Sequence, residues 1–178
     1  ITSNKNMKNL VLGVSGRIGS YYLERSQNNF NIYSSRKKNN RKKIIKISTD
    51  PKIIERVLKT NNITSVIIFT AISKPEDCKK NKKLSTEINI NFIKRLIKIF
   101  VKLNIYFIFF SSEYVYSGKR KSNIKYLEKS KISTRMIYGK QKIEIENFLH
   151  KIDYKNFSIL RLAKTYGDIL GDKTLFTN

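Results

Sequence analysis

VLGVSGRIGS, residues 11–20, decides the fold. Its glycines, Gly13, Gly16 and Gly19, are spaced G-x-x-G-x-x-G. A short apolar run precedes them and a segment of helical pattern follows, the strand–turn–helix context that a dinucleotide loop requires. One glycine serves a tight turn, one lets a pyrophosphate approach the backbone, and one lets helix and strand pack closely. The helix N-terminus then offers free N–H groups and a positive dipole end to the phosphates. Glycines punctuate turns in any protein, but three of the chain's 7 fall here, in register. The expected contacts are Gly13, Gly16, Arg17, Ile18 and Gly19.

Outward from this loop, short apolar runs alternate with helical ones. Strands are expected at 9–14, 30–34, 43–47, 65–70, 106–110 and 157–162, and helices at 18–26, 51–60, 84–103 and 134–150. Asp50 can cap the second helix, with Pro51 at its first position, where a missing N–H costs nothing. The run SVIIFT (65–70) has no polar alternation, as a parallel strand buried on both faces should not. In 84–103, Ile88, Phe92, Leu96, Ile99, Phe100 and Leu103 recur at three- and four-residue steps, giving one long amphipathic helix. Alternating strands and helices make this an α/β chain: a Rossmann-type doubly wound parallel sheet with helices on both faces. One dinucleotide-binding domain is expected over residues 1–178. The start at Ile1 and the stop at Asn178 point to a fragment lacking most of a C-terminal substrate-binding part.

The formal charge is +24, from 37 Lys and Arg against 13 Asp and Glu. Such a balance raises the question of nucleic acid. But 28 of the basic residues are Lys, spread along a chain with 27 Ile and 18 Asn, the residues that A/T-rich codons favour. Base readout leans on bidentate Arg, so no specific nucleic-acid partner is expected. The lone Cys78 excludes an internal disulfide and fits a reducing, cytoplasmic setting. No Cys or His pair has zinc spacing, so no metal site is expected. No apolar run approaches a membrane span, and no membrane association is expected.

NAD-binding domains usually end the second strand with an acid that holds the ribose 2′-OH. Here that place reads YSSRKK (33–38), with no acid. Arg36 and Lys37 can meet a 2′-phosphate, so NADP is preferred, with NAD as the alternative.

The stretch MIYGKQK (136–142) places Tyr138 four residues before Lys142. Residues four apart share one helix face. An adjacent ammonium should draw the phenol below its ordinary value near 10. Tyr33 and Lys37 have the same spacing, but at a strand end.

The glycine loop, YGKQK and FFSSEYVYSG (109–118) together resemble the extended short-chain dehydrogenase/reductase family, and within it the dTDP-4-dehydrorhamnose reductases and related nucleotide-sugar reductases. The resemblance covers nearly the whole chain. It includes STDPKIIERVL (48–58), VIIFTAI (66–72) and ILRLAKTYG (159–167). It implies a catalytic triad of Ser112, Tyr138 and Lys142, with Tyr138 and Lys142 also touching the cofactor and Ala71 beside it at the end of the fourth strand. It implies hydride transfer from NADPH to a nucleotide-linked 4-keto-6-deoxysugar, as in dTDP-rhamnose biosynthesis, and allows a homodimer. Glu113-Tyr114 after the hydroxyl residue fits reductases, whereas sugar 4,6-dehydratases carry two acids there. A nucleotide-sugar epimerase of the same family, or a non-catalytic dinucleotide-binding regulatory subunit, are the alternatives. Phe69 stands where many members have Asn, and Ile47 where many have an adenine-contacting Asp.

Other residues have plainer readings. Glu113 is either an aid to proton transfer or a solvated loop acid. Arg161 is a structural charge at a strand end, or else a support for the cofactor side of the sheet. His150 suits the negative end of its helix. Cys78 is a packing residue, and Gly118-Lys119 lacks the upstream glycine of a P-loop.

Overall fold

The structure, a computed structural model, describes residues 8–26, 31–35, 44–46, 50–119, 125–163 and 165. Six parallel strands form one sheet in the order β3-β2-β1-β4-β5-β6. They are β1 (Asn9–Leu12), β2 (Asn31–Ser35), β3 (Ile44–Lys46), β4 (Ser65–Ile68), β5 (Tyr106–Ser112) and β6 (Phe157–Leu162). The order reverses between β1 and β4, whose register pairs Leu12 with Ile68. Their carboxyl ends therefore splay around a crevice, where open α/β sheets bind ligands.

Strand alternation sorts the apolar side chains onto two faces. Leu10 and Leu12 join the larger core with Ile54 and Leu58 of α2 (Pro51–Thr60), Leu96 and Phe100 of α5 (Ile93–Lys102), and Ile145 and Leu149 of α6 (Ile137–Lys151). Val11, between them in sequence, packs on the opposite face with Tyr22 and Leu23 of α1 (Arg17–Arg25). Helices thus cover both faces, as the pattern of runs predicts. Phe100 and Phe107 are fully buried, and burial of each side chain contributes about 2–3 kcal/mol. Asp50 caps α2, accepting from Lys52 N at 2.8 Å, with Pro51 in the first turn.

A separate short helix, α3 (Pro75–Lys80), precedes the helix expected over 84–103. That helix runs without a break from Lys82 to Lys102, but it is not uniform: α4 (Lys82–Thr86) passes through a π-helical turn, Glu87–Phe92, into α5. This wider turn buries Asn89 at a position that apolar periodicity leaves unremarked. Asn89 pairs with both backbone groups of Ile72, accepting from the N–H at 2.8 Å and donating to the carbonyl at 2.9 Å. It also donates to Gln141 Oε1 on α6 at 2.8 Å. One buried amide thus fixes the loop after β4 against α6.

Candidate functional site

The glycine loop leaves β1 in a tight turn. Gly13 has φ +88°, and a side chain there would meet Thr70 N at 2.7 Å. Gly13 N and Val14 N donate to Ser34 O at 3.1 and 3.0 Å, tying the loop to β2. At Gly19 a Cβ would collide with the carbonyl oxygen of Gly13, so α1 packs on the loop only without one. Gly16 is different: its nearest neighbour would stand at 3.4 Å, an ordinary contact. The protein's own packing does not demand glycine there, so the bare backbone is left open to an approaching group. No side chain caps α1, and no acid stands in its first turn. This end of α1 suits a phosphate.

Across the crevice, β5 ends at Ser112, which accepts from Tyr114 N at 3.3 Å and donates to Glu113 Oε2 at 3.1 Å. A short 3₁₀ turn, Glu113–Val115, follows. Helix α6 lies against this turn because Gly139 has no side chain: a Cβ would strike Tyr114 O, and Thr134 Cγ2 would stand at 2.7 Å. That approach places Tyr138 edge-on to Tyr114, with ring centroids 6.1 Å apart.

Tyr138 and Lys142 are 7% and 5% exposed. Lys142 Nζ donates to Phe110 O at 2.7 Å and stands 5.5 Å from the Tyr138 ring centroid. Burial pushes the Tyr138 phenol well above its ordinary value, and the nearby Cys78, Glu113 and Tyr114 push the same way. The expected lowering by Lys142 is absent from this geometry. The ammonium is aimed at a backbone carbonyl, and desolvation outweighs it. Burial lowers Lys142 itself to about 8, against an opposing pull from Glu146.

One cavity of about 350 Å³ unites the two sides. Gly16, Arg17, Ile18 and Gly19 line it at one end, and Ser112, Tyr138 and Lys142 at the other. Ala71 lies on its wall, as do Phe69 and Phe110, stacked at 4.8 Å. Gly13 shapes the turn beneath rather than lining the cavity. Arg36, Lys37 and Ile47 lie outside the described residues, as do Tyr166 and Gly167 of the last motif. Glu113 also lines the cavity, so it stands beside Ser112 rather than out in a solvated loop. Cys78 is fully buried, its thiol donating to Ile72 O at 3.2 Å. His150 is exposed in the last turn of α6.

Sequence reading missed the cluster beneath Lys142. Glu146, one turn further along α6, is fully buried. Arg161 of β6 grips it with Nη2 to Oε2 at 2.6 Å and Nε to Oε1 at 3.0 Å. Arg161 Nη1 also donates to Tyr116 Oη at 2.9 Å and Glu128 O at 2.7 Å. All these bonds thus go to groups on the β5–β6 side of the sheet. The available signal was the step from Lys142 to Glu146, but nothing local pointed to Arg161. Among the described residues, no group of acids, Cys and His forms a metal site, and no helix is long and apolar enough to cross a membrane.

A family model, the RmlD substrate binding domain, matches residues 7–177. No curated protein matches the chain significantly. Among solved structures, the fold is similar to a dTDP-4-dehydrorhamnose reductase from Bacillus anthracis in complex with NADP, at TM-score 0.76 and 19% identity. That match covers 92% of this chain and 56% of the other. A dTDP-4-dehydrorhamnose reductase from Clostridium acetobutylicum matches at TM-score 0.70 and 23% identity, over 91% of this chain and 55% of the other. An L-threonine dehydrogenase from Clostridium difficile matches at TM-score 0.75 and 18% identity, over 88% and 53%. The chain spans just over half the length of each of these structures.

Proposed function

The chain belongs to the RmlD substrate binding domain family, and from that premise we propose that it is the dinucleotide-binding, catalytic part of an NADP-preferring reductase of a nucleotide-linked 4-keto-6-deoxysugar. The observation that carries this reading is the single cavity with the glycine loop at one end and Ser112, Tyr138 and Lys142 at the other. The residues fit the cofactor. The open backbone at Gly16 and the uncapped start of α1 suit a pyrophosphate. Gly16, Arg17, Ile18, Gly19 and Ala71 would hold it, with Arg36 at a 2′-phosphate. When bound, a nicotinamide dinucleotide supplies the hydride.

The chain's own groups serve the ketone oxygen. The buried phenol of Tyr138 stays protonated at neutral pH and can donate its proton as negative charge develops on that oxygen. Ser112 Oγ, now turned to Glu113, can donate to the same oxygen. Lys142, held by Phe110 O, brings a positive charge beside Tyr138 and would help hold the cofactor. Tyr114 in place of a second acid supports ketone reduction over dehydration. Residues 1–178 serve as one domain of this reductase, the sugar nucleotide is held largely by a further part, and the enzyme pairs as a homodimer. A protein carrying this chain together with such a part should consume NADPH on a dTDP-4-keto-6-deoxysugar. A properly folded protein of that kind with no NADPH consumption on any 4-keto sugar nucleotide would overturn the reading.

A further inference from the structure

We propose that Glu146 is a positioning residue: through Ser111 and Arg161 it holds Lys142 and Ser112 in place at the carboxyl end of β5. Three consecutive residues of β5 carry the argument. Phe110 offers its carbonyl to Lys142 Nζ. Ser111 Oγ donates a short hydrogen bond to Glu146 Oε1. Ser112 opens onto the cavity. Lys142 and Glu146 are one helical turn apart on the same face of α6. They dock on adjacent residues of the strand, so the register of α6 against β5 is fixed at two points. Arg161, paired with Ser111 in the β5–β6 register, closes the cluster from the neighbouring strand.

The carboxylate also acts through charge. Lys142 is buried beside Tyr138 on α6 and feels the charges of Glu146 on α6 and Cys78 on α3, while Arg17, Lys74, Glu113 and Tyr114 share its cavity. Desolvation drives its ammonium toward the neutral form, and Glu146 opposes this. Buried ion pairs often contribute little net stability, which leaves room for such a role.

The inference rests on the proposed roles of Lys142 and Ser112, but its first readout does not. The chain labelled with ¹³C at lysine side chains is titrated by NMR, with Lys142 assigned by comparison with Lys142→Arg. The wild-type midpoint should lie near 8, and in Glu146→Gln it should fall to about 7 or lower, with Glu146→Asp restoring most of it. A folded Glu146→Gln chain with the wild-type midpoint overturns the proposal. If that variant does not fold, Glu146→Gln with Arg161→Met removes both charges. The midpoint should still fall, and an unchanged one overturns the proposal equally. NADPH affinity is the second readout: Glu146→Gln should weaken it about tenfold near pH 8 and recover toward pH 6. Failure of the wild type to bind NADPH would sink the cofactor reading and leave the lysine titration to judge Glu146.

Discussion

Lys142 Nζ donates a 2.7 Å hydrogen bond to the carbonyl oxygen of Phe110, which ties α6 to β5 two residues before Ser112. The candidate proton donor Tyr138 sits one turn back on the same helix. The three residues are therefore held by one joint rather than by three separate loops.

Tyr138→Phe tests the proton donor. Removing the phenol oxygen leaves the ring packed against Tyr114, so folding and NADPH affinity should change little. In a protein with turnover, the rate of keto-sugar reduction should fall roughly a hundred- to ten-thousand-fold. A variant within a few-fold of wild type would mean that another group delivers the proton.

The glycines separate packing from binding. Gly139→Ala drives a methyl group into Tyr114 O and should destabilise the chain by about 1–3 kcal/mol in denaturant titrations. Gly19→Ala should do the same against Gly13 O. Gly16→Ala meets nothing closer than 3.4 Å and should keep wild-type stability within about 0.5 kcal/mol. It should nevertheless weaken NADPH binding by roughly an order of magnitude, because the backbone approach is blocked.

Stability should depend on pH through Lys142 and Tyr138, with opposite signs. Lys142 ionises near 8 in the folded chain, against 10.5 when unfolded. Between those values the unfolded chain binds more protons, so stability rises with pH by about 3 kcal/mol from this group. The Tyr138 phenol is raised above 10, so beyond pH 10 the folded chain binds more protons and stability falls again. Lys142→Met should lose the rise and keep the fall. Denaturation midpoints of both proteins between pH 7 and 11 check this, and parallel profiles would rule it out.

Arg36→Glu tests cofactor choice. A carboxylate near a 2′-phosphate repels it but can bond a ribose 2′-OH, so NADPH affinity should drop about tenfold or more while NADH affinity holds or improves. Equal loss for both would remove Arg36 from that role.

Much of this is legible in the sequence. The glycine loop placed the crevice, because three glycines in a strand–turn–helix context leave few geometric alternatives. Asp50 and Pro51 announced the start of α2 through local chemistry alone. Ser112, Tyr138 and Lys142 came from motif order, and the fold brings all three to the cavity that the loop lines. The rest depended on partners distant in the chain. Asn89 is buried by a π turn inside an otherwise regular pattern, and its partners are Ile72 and Gln141. Glu146 goes unremarked in the sequence because its partner Arg161 lies 15 residues away, on β6. The Tyr138 phenol was expected to fall because spacing reveals a neighbouring lysine. Spacing does not reveal that both groups are desolvated, nor that Phe110 O takes the ammonium.

The most direct measurement is a fluorescence titration of this chain with NADPH and with NADH. The account predicts saturable binding with enhanced nicotinamide emission, tighter for NADPH, and clearly weaker in Gly16→Ala at unchanged stability. A folded chain that binds neither dinucleotide would contradict it.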